Sequence, residues 1–134
     1  MQLGTFAAVF EAALTLEEHL KSRYEAQRSV YPVYAVLAKG CSKRLNRLER
    51  TRRETVTEMI IVPIHDLFLS DELVALGEVD PATPLSPAAA IALEEQARRF
   101  YEDAAAKIGQ DEAARALQRM AKDNARRIAQ LQER

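Results

Sequence analysis

The stretch "ALTLEEHLKSRY" at residues 13 to 24 returns as "AIALEEQARRFY" at residues 90 to 101. Both copies place an acid where helical spacing asks for an apolar side chain. Residues three and four apart share one face of an α-helix. On the first copy that face reads Phe6, Phe10, Ala13, Glu17, Leu20, Tyr24, and on the second Pro87, Ala90, Glu94, Ala97, Tyr101, Ala104, Ile108. Glu17 and Glu94 interrupt seams that are otherwise apolar, while their neighbours Glu18 and Glu95 fall off the seam and read as solvated acids. A carboxylate buried alone is costly and is driven to protonate, so a doubled seam acid implies a partner on another helix.

Composition bounds the setting. A chain of 134 residues with 48% hydrophobic content suits a single domain with a substantial core. Four Gly, five Pro and few aromatic residues, against abundant Ala, Leu, Glu and Arg, define an all-α fold class. The formal net charge is -1 and the single Cys excludes an internal disulfide, so no oxidising compartment is required. Apolar runs such as "MIIVPI" are too short to cross a bilayer, and the N-terminus lacks a basic region ahead of its apolar residues. The expectation is a cytoplasmic protein with no membrane contact.

Caps and breakers divide the chain into four helices. Thr5 is the expected N-cap of a helix over 6–27, which breaks at "RSVYP". A second helix covers 34–62 and stops at Pro63. Gly77, Pro81, Pro84 and Pro87 mark 63–86 as a long connection with room for one short helical piece. Ser86 as N-cap and Pro87 at the first position open a third helix over 87–108. Gly109 ends it, and Asp111 caps a fourth over 111–132. A long link between the second and third helices, with short links elsewhere, fits two hairpins joined by a crossover.

The same spacing on the second helix gives Leu37, Cys41, Arg44, Leu48, and on the fourth Ala113, Leu117, Met120, Asn124, Arg127, Leu131. Each seam holds an adjacent polar pair. In antiparallel hairpins of similar length, Cys41, Arg44, Asn124 and Arg127 meet Glu17 and Glu94 in one layer of zero formal charge.

The pattern resembles the rubrerythrin-like branch of the ferritin-like superfamily. In that family the first and third helices carry a motif close to A-x-x-x-E-x-x-x-x-x-x-Y, matched here by Ala13, Glu17, Tyr24 and by Ala90, Glu94, Tyr101. Its second and fourth helices read roughly L-A-x-x-E-x-x-H-x-x-x-L, and the corresponding stretches here are "LAKGCSKRLNRL" and "MAKDNARRIAQL". The resemblance implies a ferritin-like four-helix bundle and, for intact members, oxidation or peroxide reduction at a di-iron centre. In this chain Cys41 and Asn124 stand where the ligand glutamates would be, and Arg44 and Arg127 where the histidines would be.

Guanidiniums do not deprotonate and repel a divalent ion, so the expected centre is a vestigial metal site rebuilt as Glu/Arg salt bridges. Tyr24 and Tyr101 stand around it as hydrogen-bonding neighbours or as plain core packing. The expected protein is a non-catalytic structural or interaction module, with no catalytic residue, metal or cofactor. The alternative is an iron-binding rubrerythrin-like oxidoreductase or iron-handling protein with a degenerate site. Cys41 reads as a small buried hydrophobe, and His19 and His65 lie off the seam.

Lys39 to Arg53 carries seven basic residues against the single acid Glu49. They spread around the second helix, with Glu49–Arg53 and Arg50–Glu54 spaced for i, i+4 pairs. Without interleaved aromatics, nucleic-acid binding through this helix is the weaker reading. Thr51, Thr55 and Glu58 extend its seam as a polar stretch toward the connection or a second subunit, and a homodimer is expected.

Overall fold

A computed structural model describes residues 1–55 and 63–133, and every regular element among them is helical apart from one isolated bridge between Gln2 and Phe68. Helix α1 (Phe6–Ala26) begins where the Thr5 hydroxyl accepts the Ala8 N–H at 3.1 Å. A turn over residues 27–31 leads into α2 (Val33–Thr55). The expected continuation of this helix to residue 62, and Glu58 with it, lies outside the described residues.

The connection holds a short helix α3 (Asp71–Ala75), capped by Ser70, which runs into a 3-10 turn over Leu76–Glu78. Helix α4 (Pro87–Lys107) starts with the Ser86 hydroxyl accepting from Ala89 N at 3.1 Å and Pro87 in the first turn. Gly109, at φ 72°, supplies the left-handed residue that ends it. Helix α5 (Asp111–Glu133) departs from expectation at its start. Asp111 is its first helical residue, and the Gln110 side-chain carbonyl accepts the Ala113 N–H at 2.6 Å. The longer Gln side chain serves as the cap, leaving Asp111 in the first turn, where a negative charge complements the helix dipole.

Helices α1 and α2 form one hairpin and α4 and α5 the other, with α2 packed on α5. Contacts fix the directions. Going forward on α1 from Glu17 to Tyr24 goes backward on α4 from Tyr101 to Glu94. Likewise Gly40 and Arg44 of α2 meet Arg127 and Met120 of α5 in reverse order. Helices α2 and α4 therefore point the same way, and the link between them must run the length of the molecule.

The link does so along α1. Its beginning pairs with the N-terminal residues: Leu3 N–H donates to Leu67 O, Leu69 N–H to Met1 O, and Ile64 N–H to Gly4 O, each at 2.9 Å. Midway, Gly77 packs against the His19 ring so closely that an added Cβ would lie 2.9 Å from Cε1. At the far end Gln27 donates to Thr83 O at 2.7 Å and accepts from Leu85 N at 2.7 Å, while Arg23 donates to Thr83 O at 3.0 Å. Tyr34 closes this end by donating to Leu85 O at 2.6 Å.

Every described seam residue named for α1, α2, α4 and α5 is buried. The polar extension of α2 is covered as well: Thr51 and Thr55 are buried within the chain, and Thr55 Oγ1 donates to Thr51 O at 2.7 Å. A second subunit is thus not needed to cover these two threonines.

Candidate functional site

The four seam interruptions meet in one layer. Glu17, Glu94, Cys41 and Asn124 have no solvent exposure, and Arg44 and Arg127 are only 2% and 5% exposed. Glu17 Oε2 accepts from Arg44 Nη1 at 3.2 Å and from the Tyr101 hydroxyl at 2.5 Å. Glu94 Oε2 accepts from the Tyr24 hydroxyl at 2.7 Å, and its Oε1 accepts from Asn124 Nδ2 at 2.8 Å and Arg127 Nη1 at 3.4 Å. The tyrosine of each motif copy thus bonds the glutamate of the other copy. Reciprocal bonding of this kind requires α1 and α4 to be antiparallel with the two motifs in register.

The arginines differ in their tasks. Arg44 serves Glu17, donates a second bond to Met120 O at 2.5 Å, and lies 5.5 Å from the centre of the Tyr101 ring. Arg127 bridges both acids, with Nη1 at 3.4 Å from Glu94 Oε1 and 3.6 Å from Glu17 Oε1. Two carboxylates and two guanidiniums leave the layer formally neutral, and their mutual attraction offsets part of the cost of desolvating them.

Electrostatics follow from this arrangement. Burial alone would raise the Glu17 pKa, but the charges of Arg44 and Arg127 and the hydrogen bonds from Tyr101 and Arg44 outweigh it and hold the carboxyl below its ordinary range. Burial, reinforced by Glu94 for Tyr24 and by Glu17 for Tyr101, raises both phenols well above theirs. Burial opposes the charged form of Arg127, yet Glu94 and Glu17 push its pKa up, so it stays a cation. The Cys41 thiol is pushed up by burial and then by Glu17, which leaves it neutral and unreactive near neutral pH. None of these groups with a resolved shift is poised to exchange a proton near pH 7.

The donor set can be tested against a di-iron centre. Such a site needs carboxylates and imidazoles converging on the ions. Here two carboxylates, an amide and a thiol share the layer with two guanidiniums, and the Arg127 guanidinium lies within ion-pair distance of both acids. These residues do not fit the group. Among the described residues no cluster of three or more His, Cys, Asp and Glu is placed to hold an ion.

The remaining candidates lie elsewhere. His19 is half-buried against Gly77 and His65 is exposed. Glu18 is exposed, whereas Glu95 is half-buried and pairs with Arg98 at 2.7 Å. On α2, Glu49 pairs with Arg52 at 2.8 Å, three residues on, rather than with Arg53. Sequence reasoning missed the Arg23 and Gln27 clasp on the connection, because polar residues in the last turn of a helix ordinarily read as solvated. No family model, curated protein or solved structure matches the chain.

Proposed function

We propose that this chain is a ferritin-like bundle of the rubrerythrin type whose metal cage has become a purely protein ion-pair layer, and that it acts without catalysis as a structural or protein-interaction module. The observation that carries this reading is the Arg127 guanidinium between Glu94 and Glu17, at 3.4 and 3.6 Å. A cation held there neutralises both carboxylates, as a bound metal would in intact members of the family. The crossover along α1 and the doubled motif support the family reading, since both follow if a hairpin was duplicated and the link lengthened. The charge supplied by metal in intact members comes here from Arg44 and Arg127.

The test has a loss arm and a gain arm. Protein produced with ample ferrous iron and purified without chelators is expected to carry essentially no iron, and stoichiometric iron would overturn the proposal. The fourfold variant Cys41→Glu, Arg44→His, Asn124→Glu, Arg127→His restores both Glu-x-x-His pairs on helices whose Glu17 and Glu94 are already in place. It should acquire tight ferrous binding, read by metal analysis and by the absorption of the oxidised centre. A folded variant that binds no iron would argue against a cage of this descent.

A further inference from the structure

Above the Arg127 side of the layer, a groove of about 600 Å3 runs between α2 and α5. Lys39, Lys43 and Arg47 line it from α2 at successive spacings of four, so these basic residues form a stripe, and α5 adds Arg119 and Arg126. Among the described residues that line it Asp123 is the single acid, and it pairs with Arg47 at 3.6 Å and Arg126 at 3.5 Å. Beneath them Arg44 and Arg127 also reach the groove, each already matched by a carboxylate of the layer. Five further cations thus face one carboxylate, on a chain whose net charge is -1.

The floor of the groove shows a backbone adaptation. An added Cβ at Gly40 would lie 3.1 Å from Arg127 Nη2, so the guanidinium lies tight against the α2 backbone. Glycine inside a helix is destabilising relative to alanine, and this close approach is what it permits here. Arg127 turns Nη1 inward to the acids and lays Nη2 beside Gly40, under the groove.

We propose that this groove binds a small molecule carrying two or more phosphate groups, held by Lys39, Lys43, Arg47 and Arg119 with Arg127 as its floor. The stripe from Lys39 to Arg47 spans about 12 Å at the helical rise, longer than one phosphate needs. Arginine forks and lysine ammoniums are the donors suited to phosphate oxygens, and a positive cleft concentrates such anions. Among the described residues no aromatic side chain lines the groove to stack a base, and the overall charge is slightly negative. Both facts favour a compact anion over a nucleic-acid strand.

Inorganic tripolyphosphate is the probe, titrated calorimetrically into the full chain at low salt. Saturable one-to-one binding is expected, tighter than that of orthophosphate. Lys43→Ala and Arg119→Ala should each weaken it about tenfold, the scale of one lost charge-assisted hydrogen bond. Arg53→Ala, an exposed cation of α2 outside the groove, should leave it unchanged. The Arg127 side-chain Nε–Hε signal should shift on saturation, and an unmoved signal would overturn the placement of the ligand in this groove. Equal losses in all three variants would mean a diffuse field rather than a site and would overturn the proposal. So would single-stranded polynucleotides whose affinity rises with length and exceeds that of tripolyphosphate, which would make the groove a nucleic-acid surface.

Discussion

Arg127 is the residue on which the two halves of the layer depend, because its Nη1 approaches both Glu94 and Glu17. Truncating it leaves two buried carboxylates short of a cation at once, whereas truncating Arg44 leaves Glu17 with Tyr101 and Arg127. Removing one partner of a buried ion pair costs about 3 to 5 kcal/mol. Arg127→Ala is therefore expected at or above the top of that range and Arg44→Ala nearer the bottom, as read by urea unfolding. Near-neutral effects of both would mean that the acids do not depend on these guanidiniums. Tyr101→Phe deletes one hydrogen bond to an ionised carboxylate, and its expected cost is about 1.5 to 3 kcal/mol. Tyr24→Phe should cost a similar amount, since the two hydroxyls play matching roles toward Glu17 and Glu94.

At the scale of elements, the connection is held along α1 at its two ends and its middle, and the middle contact is the simplest to test. Gly77 has no left-handed backbone angle, and the nearest atoms that oppose a side chain there belong to the His19 ring. Gly77→Ala should destabilise by no more than about 1 kcal/mol, because a half-buried ring can swing away. That cost should vanish in a His19→Ala background, and a double-mutant cycle with no coupling would place the cause elsewhere. The helices and their inward faces were legible in the sequence because each seam repeats at helical spacing and Thr5, Ser86, Pro87 and Gly109 mark the ends. Glu17 and Glu94 stood out as exceptions to that spacing, and Arg44 and Arg127 as polar interruptions of the same spacing on the other two helices, with the charge that the acids need. The groove was not legible. Lys39, Lys43 and Arg47 make one wall, and only the register of α2 on α5 brings up Arg119 and Arg126 as the other. That register is set by packing between hairpins, to which the pattern within one helix is blind. Arg23 and Gln27 escaped for a related reason, since the carbonyls they bind belong to residues more than fifty positions away.

For the whole molecule, the layer sets limits on stability in acid and in alkali. Glu17 in the folded chain lies below its ordinary value of 4.5, so the unfolded chain binds the proton more readily as pH falls. The stability contributed by ionised Glu17 is complete above that ordinary value and is lost as pH drops through the lower folded value. Tyr24 and Tyr101 lie above their ordinary value of 10.0, so the folded chain keeps those protons longer. Their contribution is complete below that value and is lost as pH rises toward the folded ones. Replacing the layer as a unit separates it from every other titrating group: Glu17→Leu, Glu94→Leu, Arg44→Met, Arg127→Met, Asn124→Leu, Tyr24→Phe and Tyr101→Phe together. Apolar replacement of a complete buried ion-pair cluster ranges from neutral to stabilising by about 1 to 4 kcal/mol, in contrast to the loss from any single truncation. The combined variant should unfold at least as high in urea as the parent at pH 7, and its stability should vary less with pH at both the acid and the alkaline end. If it keeps the parent's acid limb, the carboxylates that govern acid unfolding lie outside the layer, and the ion pairs around Glu17 are not what acid breaks.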